Sequence, residues 1–125
     1  MSKAQRFPIL FDDWYRVVSA AVFLRPSSAY VIVNGDDVEV RMGWAFRSRF
    51  PRAAVASATE THRKVFSRGV HGFAGRWLVN GSGHGLLTLE MASRQRAYVM
   101  GFPVRLRMLI VSVAEPAVLA AALAK

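Results

Sequence analysis

The most regular alternation of apolar and polar positions in this chain begins at Ala29. An apolar run over residues 29–33 is followed by Asn34-Gly35, after which apolar residues alternate with charged ones as far as Met42. Asn-Gly between two such runs is typical of a tight hairpin turn. The pattern therefore predicts a β-hairpin whose charged residues lie on its solvated face.

Shorter apolar runs, separated by glycines and prolines, continue through the rest of the chain. The further strands that they predict cover residues 44–50, 53–58, 76–79, 86–90 and 104–113, and an apolar path through residues 98–102 precedes a break at Pro103. In the first of these, Trp44, Phe46 and Ser48 alternate with arginines. The runs 76–79 and 86–90 flank a glycine-rich segment, which is typical of a second hairpin with a longer loop. Together the runs predict about seven strands.

The end of the chain combines a strand with a helix. Alternation places Val104, Leu106, Met108 and Ile110 on one face of the last strand. Pro116 suits the first turn of a helix, where its missing N–H costs nothing, and Glu115 places a carboxylate near the helix N-terminus. The apolar stripe of this helix comprises Val118, Leu119, Ala122 and Leu123. A helix with so few polar residues is expected to cover the strand-rich remainder.

Residues 1–28 form an N-terminal extension of ambiguous pattern. Asp13 could cap a helix that ends before Pro26, and the apolar spacing within residues 14–24 favours this interpretation. Val17, Val18 and other strand-forming residues in the same segment leave a strand open. No secretion signal is apparent, and the longest nearly uncharged run is far shorter than the roughly 20 residues that cross a bilayer. A soluble, cytoplasmic protein is expected.

The succession of short strands and one terminal helix resembles the pleckstrin-homology-like (PH-like) superfold, in particular the small bacterial PH-like proteins of unknown function. The resemblance depends on the hairpin at residues 31–41, the step at 50–55 and the strand end at 111–116. It implies a mainly β single domain, residues 1–125. Within it, residues 29–113 would form a barrel of about seven antiparallel strands, and residues 115–125 a helix that closes it.

The resemblance carries no established set of active residues. Phosphoinositide-binding PH domains place lysines and arginines around the loop of their first hairpin, where these cations hold inositol phosphates. The corresponding loop here is Asn34-Gly35-Asp36-Asp37. Its carboxylates would repel a phosphate, so phosphoinositide recognition is not expected at this loop.

Charge is the strongest deviation in composition. Seventeen basic residues stand against eight acidic ones, for a net charge of +9, and 14 of the basic residues are arginine. A field of this sign attracts nucleic acid, anionic lipid or acidic protein. An arginine-rich composition can also simply keep a surface solvated. The absence of cysteine excludes disulfides, thiol catalysis and thiolate metal sites.

Three Arg-x-Arg pairs are the best candidates for a binding surface. Residues two apart on a strand share a face, so each pair would project two guanidinium groups about 7 Å apart. The pairs are Arg47/Arg49, Arg94/Arg96 and Arg105/Arg107, with Arg52 and Arg76 as extensions. If the pairs adjoin, they form a basic face for an anionic partner. The alternative is a solvated outer face that protects sheet edges from pairing.

Catalytic and metal-binding motifs are sparse. The three histidines, His62, His71 and His84, occupy polar or glycine-rich stretches without the spacing of a helical metal motif. A site built from Glu60, His71 and His84 would require distant residues to converge. Adjacent aspartates are better explained as caps or turns than as an acid/base pair, because neighbouring strand residues point to opposite faces. No cofactor and no catalytic residue are predicted.

Three functional interpretations follow from these observations. The preferred one is a non-catalytic PH-like module for protein interaction or scaffolding, with an unknown protein partner. The second is a binder of anionic membrane surface or nucleic acid through the arginine face, and the third is a small-ligand or metal-dependent enzyme. The apolar terminal helix and a mean hydropathy of +0.23 also suggest a homodimer.

Overall fold

The computed structural model describes residues 4–9, 29–61, 69–73, 75–80 and 85–124. This part of the chain is mainly β-strand and ends in a single helix, as the alternation and the final apolar stripe predict. Its elements are β1 (Gln5–Pro8), β2 (Ala29–Asn34), β3 (Asp37–Met42), β4 (Phe46–Pro51), β5 (Val55–Thr61), β6 (Gly69–Phe73), β7 (Arg76–Asn80), β8 (Leu86–Val99), β9 (Phe102–Ser112) and α1 (Pro116–Leu123). A 3-10 turn at Arg52–Ala54 joins β4 to β5.

All nine described strands belong to one sheet. Its order is β1-β2-β3-β4-β8-β9-β7-β6, and β5 pairs with β8 off this path. The pairs are antiparallel except for β7 and β9, which are parallel. The hairpin predicted around Asn34-Gly35 is confirmed, since β2 and β3 pair from Ala29↔Met42 to Asn34↔Asp37.

Strand β8 joins the two halves of the sheet because it changes direction part-way. Its register against β9 shifts between Glu90 and Gln95, so that five residue steps along β8 span two along β9. Extra residues in one strand bend it and increase its twist. The first half of β8 consequently pairs with β5, while its end pairs with β4.

The sheet curls into a half-barrel around one apolar core. A single bridge between Ile9 and Val113 brings the residue after β1 to the end of β9, although these strands lie apart in the sheet order. Helix α1 packs against β5 and β8. Leu119, Ala122 and Leu123 of α1 are buried in the core. The predicted apolar stripe is therefore right for three residues, whereas Val118 is 46% exposed.

The connections between strands differ from the sequence prediction. The structure has nine strands in its described part rather than about seven, and one pair is parallel rather than antiparallel. The second hairpin is wrong, because β7 pairs with β6 and β9 instead of β8. The partner of β8 is β9, reached through the two-residue turn Met100-Gly101. Strand β9 therefore begins before Pro103, and no break follows residue 102.

Two details of residue orientation also differ. The strand expected from residue 44 starts at Phe46, and Trp44 lies in the preceding turn, 53% exposed. Along β9, Leu106 is buried as predicted, but Leu109 and Val111 are buried beyond it. The alternation shifts because the backbone N–H groups of both Arg107 and Met108 donate to the carbonyl of Gly75, at 2.8 and 3.1 Å. This is the hydrogen-bond pattern of a β-bulge. The helix or strand considered over residues 14–24 lies outside the described residues.

Candidate anion-binding surface

The six arginines singled out from the sequence are all exposed, and they lie on three successive strands. Arg47 and Arg49 belong to β4, Arg94 and Arg96 to β8, and Arg105 and Arg107 to β9. Residues that alternate with them, such as Phe46, Ser48 and Leu106, are buried. The prediction that these arginines point away from the core is therefore confirmed. The structure divides them into two groups.

The larger group surrounds a groove at the bend of β8. We define the arginine groove by Arg94, Arg96, Arg105 and Arg107. Two depressions of about 460 Å³ each share Arg94, Val104 and Arg105 as lining residues. Gln95, Arg96 and Pro103 complete one depression, and Gly75, Trp77 and Arg107 complete the other. Among the described residues, no carboxylate lines either of them. The groove therefore offers guanidinium groups beside a half-buried indole.

Gly75 allows Arg107 to lie close to the backbone at one end of the groove. A Cβ atom at residue 75 would stand 3.1 Å from Cγ of Arg107 and 3.3 Å from the carbonyl oxygen of Arg105. Gly75 also has a φ of +83°, a conformation that side chains disfavour. The bulge in β9 and the glycine opposite it together hold the stem of Arg107 against the sheet.

The charges in the groove repel one another. Arg96 and Arg105 are direct partners across β8 and β9. Like charges directly opposite on one face of a sheet are destabilising. Within the described part of the chain, the ion pairs are Arg49–Asp37 and Arg52–Asp36, and neither involves a groove arginine. The groove is therefore a concentration of positive charge that nearby described carboxylates do not neutralise.

The second group, Arg47 and Arg49, lies on β4 and is partly neutralised. Arg49 pairs with Asp37 at 3.0 Å. Arg47 lies over the ring of Tyr98, with its guanidinium carbon 4.8 Å from the ring centroid, and faces Arg41 across the strands. The adjoining depression, of about 340 Å³, contains Glu39. A carboxylate in this depression makes it a weaker anion site than the groove.

The two suggested extensions lie in different places. Arg52 is in the 3-10 turn, where it pairs with Asp36 at 3.4 Å. Because Asp36 partly neutralises its charge, Arg52 does not contribute to the positive charge of the groove. Arg76 is exposed and directly follows Gly75, which lines the groove. Arg76 therefore adjoins the groove, whereas Arg52 does not.

Sequence reasoning missed the contribution of Gly75 and Trp77 to the groove. Neither residue was singled out from the sequence as part of the arginine face, and the structure leaves Trp77 half-buried. Their approach to the arginines depends on the parallel pairing of β7 with β9, which brings Trp77 opposite Leu109. No local pattern signals a parallel pair whose strands are separated by β8 in the chain.

The structure describes only some of the residues that could form a metal site. Among the described residues, no group of three histidine, cysteine, aspartate or glutamate side chains could hold a metal ion. His62 and His84 fall outside those residues, so the structure does not bear on the disfavoured combination of Glu60, His71 and His84. Likewise, no helix in the described part of the chain is both long and apolar enough to cross a membrane.

Comparison with known proteins adds no family. No family model, curated protein or solved structure matches this chain.

Proposed function

We propose that this protein is a non-catalytic binding module and that the arginine groove receives anionic groups of a macromolecular partner. The observation that carries this proposal is the set of four exposed arginines around two adjoining depressions, which no carboxylate of the described residues lines. Guanidinium groups bind carboxylates and phosphates in a bidentate manner, and their positive charge persists at any physiological pH. Trp77 adds an apolar wall beside them.

The opposed pair Arg96 and Arg105 favours binding over simple solvation of the sheet. A solvated face needs charged residues, but it gains nothing from two like charges directly across a strand pair. An anion between them would convert their repulsion into two attractive contacts. The repulsion that destabilises the free protein would thus be offset by attraction to the anion in the bound state.

At the level of fold, we propose a PH-like module that serves as an interaction or scaffolding unit. The curled sheet and the C-terminal helix packed on β5 support this assignment. The parallel pair β7/β9 is a departure from an all-antiparallel barrel. The assignment therefore concerns the general architecture and brings no ligand with it.

The proposal is tested with a charge-reversal variant and a matched control. Arg96→Glu/Arg105→Glu reverses the opposed pair and keeps its members alike in charge. Arg6→Glu/Arg52→Glu changes the net charge equally at sites outside the groove. Binding is measured to three probes: phosphatidylcholine/phosphatidylserine vesicles, a single-stranded oligonucleotide and polyglutamate.

We expect the groove variant to lose at least tenfold in affinity for the preferred probe, while the control loses much less. Equal losses in the two variants would show a dependence on net charge alone and would contradict the groove. A folded wild-type protein that binds none of the probes at low salt would also contradict it. Circular dichroism of each variant confirms that the comparison is made between folded proteins.

A further inference from the structure

Three large apolar side chains are exposed at one end of the sheet. Phe102 is 73% exposed, Met100 59% and Trp44 53%. Trp44 lies in the turn between β3 and β4, while Met100 and Phe102 lie in and beside the turn between β8 and β9. We call these two turns the apolar tips. Val118, on α1, is the other large apolar residue with comparable exposure in the described part of the chain.

The two tips are fixed next to each other. The backbone N–H of Met100 donates to the carbonyl oxygen of Ala45 at 2.9 Å. The strand pairs that lead into the tips, Phe46↔Val99 and Val99↔Phe102, continue this contact into the sheet. The tips are therefore a single apolar edge held by the sheet rather than two independent loops.

Met100 occupies a turn position that its backbone preferences do not explain. Both central residues of this two-residue hairpin turn have positive φ, +49° at Met100 and +85° at Gly101. A turn of this kind favours asparagine or aspartate before glycine. Because most of the methionine side chain is exposed, core packing does not account for it either. A ligand for the side chain would.

Arginines stand directly behind the tips. Residues 41–47 and 94–107 contain six arginines and no acidic residue. Arg41 and Arg47 are partners across β3 and β4, two residues before Gly43 and three after Trp44. At about 3.3 Å per strand residue, their backbones lie roughly 7–10 Å behind the tips. The headgroup layer of a bilayer, about 5–8 Å thick, has a similar depth.

We infer that the apolar tips insert into the interface of an anionic membrane while the arginines behind them contact lipid phosphates. The inference rests on the proposed function for the electrostatic attraction, and it adds the class of the partner. Tryptophan and other amphipathic or apolar side chains at the interface supply contact with acyl chains, and basic residues supply attraction to anionic lipid. Apolar contact alone does not explain the arginines behind the tips, and charge attraction alone does not explain the exposed apolar side chains.

The same observations disfavour a second copy of this chain as the occupant of the tips. Two tips that meet around a twofold axis bring the same patch of each protomer together. The arginines behind the tips of both protomers would then approach one another, and they outnumber Glu39, the carboxylate that lines the depression beside Arg41 and Arg47. A membrane with anionic lipid has complementary charge at the same depth.

The inference is tested with a tip variant, Met100→Asn/Phe102→Ser. Asparagine suits the turn, and Phe102 makes little packing, so the variant is expected to fold with an unchanged or higher Tm. Val118→Ser is the matched control, since it removes an exposed apolar side chain elsewhere. Vesicle pelleting uses phosphatidylcholine with and without phosphatidylserine.

We expect the tip variant to lose about tenfold or more in affinity for anionic vesicles, while Val118→Ser binds as wild type does. The difference should persist at roughly 1 M salt, where the Debye length is about 3 Å and charge attraction is screened. In a Trp14→Phe/Trp77→Phe background, bromine atoms on the acyl chains should quench Trp44 fluorescence.

The outcomes separate the inference from the proposed function. If the groove variant loses vesicle binding and the tip variant retains it, the groove binds anions and insertion is wrong. If the tip variant loses binding and the groove variant retains it, insertion is supported and the role of the groove is wrong. Preference for the oligonucleotide over vesicles, or a wild-type dimer that the tip variant abolishes, would also overturn insertion.

Discussion

At the scale of single residues, the proposed function would couple stability to binding through one cross-strand pair of the arginine groove. Arg96 and Arg105 face each other on β8 and β9 with their side chains exposed. Opposite charges in such a position stabilise a sheet by roughly 0.2–1 kcal/mol, and like charges destabilise it. The native pair therefore destabilises the free fold, and under the proposed function a bound anion would remove that cost.

This coupling predicts opposite effects from a single substitution. Arg96→Glu should raise the free energy of unfolding by roughly 0.2–1 kcal/mol, because the introduced carboxylate would face Arg105 across the strands. The same change should lower affinity for phosphatidylserine-containing vesicles several-fold. Urea denaturation and vesicle pelleting on the same preparation measure the two effects.

The double variant Arg96→Glu/Arg105→Glu is the control for this prediction. It restores two like charges, so its stability should return towards that of the wild-type protein while its binding falls further. A single variant that is less stable than wild type would contradict the account of the repelling pair. Added salt should narrow the stability difference, since both side chains are exposed.

The sequence predicted which arginines are exposed, but it did not predict which of them are partners across neighbouring strands. Alternation along a strand is local, and it placed the six arginines on exposed positions correctly. The pairing of Arg96 with Arg105 depends on the register across β8 and β9, which in turn depends on the two-residue turn at Met100. Without glycine or asparagine at residue 100, the turn carried only a weak signal in the sequence.

At the scale of elements, the local pattern predicts the C-terminal helix, whereas tertiary packing decides which of its residues are buried. Leu119 and Val118 are neighbours on α1, yet Leu119 is fully buried and Val118 is 46% exposed. The helix has only eight residues and would be marginal alone in water. Its stability must come from the contact of one face with β5 and β8.

The helix therefore predicts a contrast between adjacent substitutions. Leu119→Ala should lower the free energy of unfolding by roughly 2–5 kcal/mol, because it leaves a cavity in the core. Val118→Ala should change it by less than about 0.5 kcal/mol, as for other surface positions. Urea denaturation followed by circular dichroism measures both. Similar effects from the two would mean that α1 does not pack on the sheet through this face.

The elements that the sequence predicted well are those whose partners are close in the chain. The β2/β3 hairpin has its turn between the two strands, and Pro116 and the apolar stripe indicate the helix. Strand β7 was assigned to the wrong partner, because proximity in sequence favoured β8 while the fold pairs it with β9. The bulge near Met108 likewise arises from pairing with a distant segment, at Gly75, whereas the register shift near Gln95 lies within the β8/β9 hairpin; both adjoin the groove.

At the scale of the whole molecule, charge and apolar exposure are distributed unequally between the two ends of the first hairpin strands. Asp36 lies in the turn between β2 and β3 and pairs with Arg52, while Asp37 begins β3 and pairs with Arg49. The apolar tips lie at the other end of β3, seven residues further along. At about 3.3 Å per residue this separation is roughly 23 Å, almost three Debye lengths at physiological salt. The two ends should therefore act independently at a surface.

This polarity predicts that position matters more than net charge for membrane binding. Asp36→Asn/Asp37→Asn makes the protein more basic, yet it should leave affinity for anionic vesicles within about twofold of wild type at physiological salt, because insertion of the tips would hold that end away from the membrane. Arg41→Glu/Arg47→Glu, behind the tips, should lower it by tenfold or more. Vesicle pelleting of both variants makes the comparison. A gain in affinity from the aspartate variant comparable to the loss from the arginine variant would show that net charge alone governs attraction, and it would remove the orientation that insertion of the tips requires.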